Sequence, residues 1–311
     1  MKDKLVTLVG GGGFLGRYIT QELLAAGARV RIAQRDPRRA FFLKPLGGLG
    51  QTQFIAADLG KPETLARAVA GADAVVNLVG ILAGDFDKVQ RVGAGNVAAA
   101  AAAEGVGALV QMSAIGADAA SRSGYARSKA GGEAAVLAAF PRATILRPSI
   151  VFGREDQFVN RFAAMIASAP VVPVLRAPAR FQPVYVVDVA RAVVAALADP
   201  GSFGGHVYEL GGPDVMSMGA LVRWIAKTID RSPAIVDLPD TAGKLIASLG
   251  FLPGAPITAD QWAMLQSDNV VADDARTIAA FGIDPTPIGS VAPGWLVQYR
   301  KNGRFGRRDA T

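Results

Sequence analysis

Near the start of the chain an apolar run, Leu5-Val-Thr-Leu-Val9, meets the glycine cluster Gly10-Gly-Gly-Gly13, and a segment of helical period begins at Phe14. No other stretch restricts the fold as strongly. Strand, tight glycine turn and helix, in that order, form the context that a dinucleotide fingerprint requires. In the spacing Gly10-x-x-Gly13-x-x-Gly16, Gly10 can take the positive φ of a sharp turn, which residues with a Cβ resist. Gly13 leaves room for a pyrophosphate to approach the backbone, and Gly16 lets the helix lie close on the strand. The first N–H groups of that helix, at Phe14 and Leu15, and its positive dipole end would face the phosphates.

The rest of the chain continues the rhythm. Apolar periodicity predicts helices over Phe14–Ala26, Lys61–Ala70, Gly95–Glu104 and Gly124–Phe140. Strands are predicted over Ala28–Ala33, Gln53–Ala57, Ala74–Val79, Ala108–Met112 and Ala143–Leu146. Such alternation gives an α/β fold built on a doubly wound parallel sheet, with every strand's C-terminal end on one edge, where ligands bind. Residues 1–150 are the expected dinucleotide-binding core. After Pro148 the rhythm loosens, with prolines at 170, 173, 178 and 183. A smaller, irregular C-terminal lobe is expected over 151–183 and 200–298, followed by a basic tail over 299–311. A strand at Val184–Val187 and a helix at Val189–Ala198 capped by Asp188 are expected to return to the core. Further helices are expected at Ala220–Ile229, Ala242–Leu249 and Ala259–Leu265.

Composition excludes several classes of function. The chain has 311 residues, no cysteine and one histidine, His206, so disulfides are ruled out and a His/Cys metal site is not expected. Met1-Lys-Asp-Lys runs directly into the first strand, leaving no room for a signal peptide, and no run of eighteen apolar residues occurs. A soluble, cytoplasmic setting is therefore expected. The net charge of +7 lies partly in Arg35, Arg38 and Arg39, and partly in the tail from Tyr299 to Arg308. No basic face with aromatic or helical readers accompanies it, which argues against nucleic acid. The tail reads either as a solvated end or as a tether to an acidic protein or an anionic membrane surface.

The adenosine end of the cofactor can be read from the second strand. An NAD site usually places an acid there, about 20 residues past the glycine turn. This chain has Gln34-Arg35 at that place. The planar fork of Arg35 suits a 2′-phosphate, with Arg38 or Arg39 adding positive field, so NADPH is favoured over NADH. Asp36, before Pro37, reads as a helix cap. Asp58 and Leu59 end the third strand, where Asp58 can accept from the adenine amino group, cap the helix before Lys61-Pro62, or do both. Asn77-Leu-Val79-Gly80 closes the fourth strand, beneath the cofactor's inner ribose. Tyr125 and Lys129 share one helix face a turn apart. They suit proton delivery by a Tyr whose pKa the Lys lowers, or else a plain solvated face.

Gly10-x-x-Gly13-x-x-Gly16, Asn77-Leu-Val-Gly80, Tyr125-x-x-x-Lys129 and Arg147-Pro-Ser-Ile-Val-Phe-Gly153 together resemble an atypical, extended short-chain dehydrogenase/reductase. The phrases Val75-Val-Asn-Leu-Val-Gly-Ile-Leu82, Ser113-Ala-Ile-Gly-Ala-Asp118, Asp156-Gln-Phe-Val-Asn-Arg-Phe162, Phe181-Gln-Pro-Val-Tyr-Val-Val-Asp188 and Ser267-Asp-Asn-Val270 narrow the likeness. They resemble the subgroup that contains the NADPH-binding accessory subunit of respiratory complex I (alpha subcomplex subunit 9) and its bacterial relatives.

The resemblance implies a Rossmann-type core and a tightly held NADPH in a protein docked on the peripheral arm of complex I, peripheral to the inner membrane. It places the nicotinamide amide against backbone groups of Pro148 and Ile150. It also implies a catalytic Tyr125 and Lys129. Active members carry a Ser or Thr at the end of the fifth strand; here that position falls nearer Ile115, and Ser113 is the candidate substitute. Two functions follow as expectations. One is a complex I accessory or assembly subunit that holds NADPH without fast turnover. The other is an NADPH-dependent reductase of a small or quinone-like carbonyl. The apolar pieces Lys244–Leu252 and Trp262–Leu265 read as core of the small lobe or as contacts to a partner or membrane edge.

Overall fold

The computed structural model describes residues 1–250 and 257–305, and the chain divides into two units. The first comprises Met1–Pro148, Val186–Leu210 and Ala272–Asp284; the second comprises Ser149–Tyr185, Gly211–Val271 and the chain from Pro285 onward.

The first unit is built on seven strands: β1 (Leu5–Val9), β2 (Arg29–Gln34), β3 (Thr52–Ala56), β4 (Ala74–Asn77), β5 (Ala108–Met112), β6 (Thr144–Pro148) and β7 (Val207–Leu210). They are all parallel, in the order β7-β6-β5-β4-β1-β2-β3. β1 therefore lies between β2 and β4, and the chain reverses its direction of travel across the sheet at that point. The crevice beyond the carboxyl ends of β1 and β4 is where such sheets bind ligands. Val9 is level with Ala33 on one side and Asn77 on the other, so the three loops that follow leave the sheet at one height.

Helices α1 (Phe14–Ala25), α2 (Pro62–Val69), α3 (Gly93–Ala103), α4 (Gly124–Ala139) and α5 (Val186–Ala198) flank the sheet. Leu65, Val69, Val97, Ala101 and Val136 pack onto Val75, Leu109 and Ile145 in one core cluster. Each large side chain buried there contributes roughly 1.5–3 kcal/mol. Alanines and glycines let α3 and α4 approach closely. Gly132 sits inside α4, where glycine costs about 1 kcal/mol relative to alanine. A Cβ at that position would lie 2.1 Å from the Gln90 carbonyl oxygen, which accounts for the glycine.

The strand expected at Val184–Val187 is extended only over Val184–Tyr185, and it pairs with Val151–Phe152 inside the second unit. Helix α5 already begins at Val186, so Asp188 lies in its first turn rather than capping it. Val186, Val189, Ala190, Val193, Ala196 and Leu197 are all buried, and that spacing is helical. Val207–Leu210, assigned from the sequence to the small lobe, forms β7 at the edge of the main sheet beside β6. The Tyr208 ring packs at a tilt on Phe281, centroids 4.7 Å apart, tying the 272–284 segment to the same unit.

The second unit is held by an apolar cluster that includes Phe152, Ile166, Val172, Phe181, Leu221, Ile225, Trp295 and Leu296. Its strands Val171–Leu175 and Ala234–Leu238 pair in parallel. The helix expected at Ala220–Ile229 spans Met218–Thr228 and is capped by Ser217. Gln182 takes the Val271 N–H at 3.0 Å and donates to the Gly212 carbonyl at 2.8 Å. Ser149 donates to the Asn269 side chain at 2.6 Å. The short sequence phrases around Gln182 and Asn269 are thus loop clamps. Leu265 packs on the apolar cluster, whereas Leu245 and Leu249 are exposed; Phe251 and Leu252 lie outside the described residues, as does the tail from Gly306. No helix among the described residues is long and apolar enough to cross a membrane.

Candidate functional site

The glycine turn has the geometry its spacing predicts. Gly10 has φ +80°. A Cβ on Gly16 would stand 2.2 Å from the Gly11 carbonyl oxygen, whereas one on Gly13 would meet nothing closer than 3.6 Å. Gly16 thus sets how tightly α1 lies on the turn, and Gly13 keeps the surface open. α1 has no side-chain cap. The amides of Phe14 and Leu15 lie in its first turn and have no intrahelical partner, so they remain available to an anion.

Gln34 ends β2. Its carbonyl accepts from Gly12 N–H at 3.1 Å and its amide donates to the Asp36 carbonyl at 2.7 Å. The place customary for an acid is therefore filled by a neutral brace of the glycine turn. Asp36 accepts from the Arg38 backbone at 3.2 Å and pairs with the Arg38 guanidinium at 3.1 Å. Arg38 is spent on that pair, while Arg35 and Arg39 are exposed. Neither has an ion-pair partner within 4 Å among the described residues. Asp58 accepts from Gly60 N–H at 2.9 Å, and the cap position of α2 belongs to Lys61. Asp58 thus braces the loop ahead of that helix. The carbonyl of Leu59 is taken by Asn96 at 2.8 Å.

Asn77 is buried, donates to Gln111 at 2.8 Å and accepts from Val79 N–H at 3.2 Å. It shapes the turn after β4. That turn brings Val79 against Gly10, where a Cβ would come within 2.8 Å of the valine methyl. It also brings Gly80 up to Lys129, whose Nζ would lie 3.2 Å from a Cβ on that glycine.

Ser123 caps α4 by accepting from Ala126 N–H at 3.2 Å, which fixes Tyr125 and Lys129 in its first two turns. The Tyr125 ring meets Phe86 edge-on at 6.0 Å and lies 5.7 Å from Lys129 Nζ. Lys129 is buried. Burial pulls its pKa down to about 8, against the opposing pull of Glu133. Its ammonium reaches the Met112 carbonyl only at a long 3.4 Å. Gln90 donates to Ser128 at 2.8 Å, but its buried Oε1 has no partner. That atom also faces Gly80, 3.4 Å from where a Cβ would sit. Gln90 lies in the π-helical turn Asp87–Val92, a local form that recurs at functional sites. The unpartnered acceptor, the deprotonation-prone ammonium and the glycine that admits both fit the hydroxyls of a ribose. The residues present therefore suit a nicotinamide dinucleotide at both of its ends.

Ser113 is placed differently from what a carbonyl donor requires. Its hydroxyl donates to Glu133 at 2.5 Å, and Glu133 is clamped by Arg147 at 2.8 and 2.6 Å. Glu209 lies 3.6 Å from the same guanidinium and accepts from Ala272 N–H at 3.0 Å. A serine hydroxyl has one hydrogen, and here the carboxylate holds it. This corrects the reading of Ser113 as an oxyanion donor. The Pro148 carbonyl accepts from Ile115 N–H at 3.1 Å, and that of Ile150, in the second unit, from Val184 N–H at 3.0 Å. Sequence reasoning named Gln34 without its bracing role and missed Gln90 and Glu133. Only the two glycines at 131 and 132, unusual inside a helix, hinted that α4 packs tightly there.

A model of the NAD dependent epimerase/dehydratase family matches residues 6–211. Mitochondrial NADH dehydrogenase [ubiquinone] 1 alpha subcomplex subunit 9 of Arabidopsis thaliana is 35% identical, over 96% of this chain and 79% of that protein. A ceramide reductase of Caulobacter vibrioides is 33% identical over 81% of this chain and 80% of its own length. Among solved structures, Citrobacter sp. triphenylmethane reductase complexed with NADP(H) superposes with a TM-score of 0.76 over 93% of this chain and 99% of that one. At 17% identity that likeness speaks to the fold.

Proposed function

The chain belongs to the NAD dependent epimerase/dehydratase family, and from that premise we propose that it is a complex I accessory or assembly subunit that holds NADPH without fast turnover. The observation that carries the reading is the extent of the likeness to subunit 9. It runs over 96% of the chain and so includes the second unit, which a dinucleotide fold alone does not require. The Ser113 hydroxyl, already given to Glu133, supports the absence of fast turnover, since a donor at the developing oxyanion is worth roughly 3–4 kcal/mol in acyl-transfer sites. On this reading the protein is cytoplasmic, docks on the peripheral arm and is peripheral to the inner membrane.

In this reading the amides of Phe14 and Leu15 hold the pyrophosphate over Gly13. Arg35 and Arg39 pair with the 2′-phosphate, and Asp58 and Leu59 border the adenine. Lys129 and Gln90 bind the inner ribose below Gly80. A bound nicotinamide dinucleotide would supply a hydride, and Tyr125 is the group placed to supply a proton. Purification from the native host is the test. The reading expects NADPH that survives gel filtration unoxidised, and complex I subunits in the same fractions. Recovery without nucleotide, or with NADH alone and no complex I subunit, refutes it.

A second reading, an NADPH-dependent reductase of a carbonyl on a lipid or quinone-like compound, is favoured by Tyr125 and Lys129 and by the likeness to a protein named ceramide reductase. Steady NADPH oxidation with such a substrate, abolished in Tyr125→Phe, would replace the first reading with this one.

A further inference from the structure

In the second unit, a cavity of about 330 Å³ opens beside the C-terminal end of the helix Met218–Thr228, and its lining includes Lys227, Asp230, Arg231 and Ser232. Ala226, Pro233 and Ile235 supply apolar lining. Cations at a helix C-terminus have an ordinary use, since they offset the negative end of the dipole. That use is already met by other groups. Arg300 donates twice to the Thr228 carbonyl, at 3.3 and 3.0 Å. Asp230 N–H bonds to the Lys227 carbonyl at 3.2 Å and Arg231 N–H to the Ala226 carbonyl at 3.0 Å. The helix end therefore has its caps without the side chains of Lys227 or Arg231.

Those side chains keep most of their donors. Lys227 is exposed, and among the described residues no ion-pair partner stands within 4 Å of its ammonium. Arg231 spends Nε on the Tyr299 carbonyl at 3.4 Å, which leaves the two terminal nitrogens of its fork. Arg223, also in the lining, is neutralised by Asp237, both contacts being 2.9 Å. Lys227, Arg231 and the neighbouring Arg300 thus outweigh Asp230. Asp230 itself has φ +55°, a conformation that costs a non-glycine residue energy. It turns Arg231 and Ser232 back onto the helix end.

We propose that this cavity binds a phosphate group, held between the Lys227 ammonium, the terminal nitrogens of Arg231 and the Ser232 hydroxyl. The fork of an arginine matches two phosphate oxygens and a lysine serves a third as a point charge. The apolar lining lowers the local dielectric and so strengthens both contacts. The phosphate has two sources, a soluble phosphate compound or an anionic lipid headgroup.

The test uses the full chain at low ionic strength in two arms: calorimetric titration with inorganic phosphate, and flotation with vesicles of phosphatidylglycerol in phosphatidylcholine against phosphatidylcholine alone. Because the glycine turn of the first unit also suits phosphate, the readout is the component that Lys227→Gln removes. Lys227 is exposed and its side chain bonds nothing among the described residues, so this variant keeps the fold. Arg231→Gln, checked for folding by circular dichroism, is the second. At least a tenfold loss of affinity in both variants is expected, in one arm or the other. Loss confined to the phosphate arm identifies a soluble source, and loss confined to the vesicle arm a headgroup. Binding in neither arm, or binding that Lys227→Gln leaves unchanged, overturns the site.

Discussion

Replacing Lys129 with methionine should make the protein more stable at neutral pH while abolishing its hold on the cofactor. The lysine is buried, and its pKa has fallen from 10.5 to about 8. A tenfold change in proton affinity corresponds to roughly 1.4 kcal/mol, so a fall of that size sets the cost of the buried ammonium at about 3 kcal/mol. The sign follows from proton counting. Between pH 8 and 10.5 the unfolded chain binds this proton and the native chain does not, so stability rises with pH across that window. The cost is fully present below pH 8 and falls under about 1 kcal/mol by pH 10. Methionine has a similar volume and no charge to desolvate, and Glu133 keeps Arg147 as its partner. Lys129→Met should therefore stabilise the ligand-free protein by about 3 kcal/mol at pH 7 and by far less at pH 10. Urea unfolding followed by far-ultraviolet circular dichroism measures it. A variant that is less stable at pH 7, or whose advantage is the same at both pH values, refutes the reasoning.

Three further outcomes follow from the same geometry. Gly16→Ala places a methyl 2.2 Å from the Gly11 carbonyl, so α1 must lift; a loss of about 1–3 kcal/mol in stability and at least a tenfold drop in dinucleotide affinity are expected in unfolding and binding titrations. Arg35→Ala should weaken NADPH by about tenfold, or 1.4 kcal/mol, and leave NADH unchanged; equal losses for both nucleotides would remove Arg35 from the 2′-phosphate. Glu133→Ala leaves the half-buried Arg147 with only Glu209 at 3.6 Å and should cost about 3 kcal/mol. The double replacement Glu133→Leu with Arg147→Leu should recover most of that loss in thermal unfolding.

The sheet was legible because its signals are local. The glycine spacing, the strand Ala108–Met112 and the helix beginning at Gly124 each rest on a dozen residues or fewer. Between Val184 and Ala192 only Val186, Val187 and Asp188 were misread, as strand end and cap instead of first helical turn, because an apolar run satisfies the strand and helix patterns alike and only the packing of α5 decides between them. β7 was assigned to the wrong unit because sequence order separates it from β6 by nearly sixty residues. The site was legible where one residue type carries the chemistry, as at Gly10, Tyr125 and Lys129. It was illegible where a neutral amide does the work. Gln34 and Gln90 carry no charge, and nothing in their neighbours announces that one braces the glycine turn while the other leaves a buried oxygen without a partner. Glu133 was hidden for another reason: its partner Arg147 stands on a different element.

The presence of Tyr125 and Lys129 does not by itself distinguish holding from turnover, because both groups could serve a bound ribose as well as a reacting carbonyl. The distinction falls to the hydroxyl at the end of β5. The Glu133 carboxylate, gripped by two nitrogens of Arg147, is a stronger acceptor than any ground-state carbonyl, and Ser113 donates to it at 2.5 Å. Turning that hydrogen toward a ligand would leave a buried carboxylate oxygen short of a donor, at a cost of the same order as the oxyanion contact it would create. The two terms cancel, and the serine offers no net gain in the transition state. On the proposed reading the glycine turn and the buried Lys129 would keep a dinucleotide in place, and the same Glu133 that takes the Ser113 hydrogen also favours the charge on Lys129.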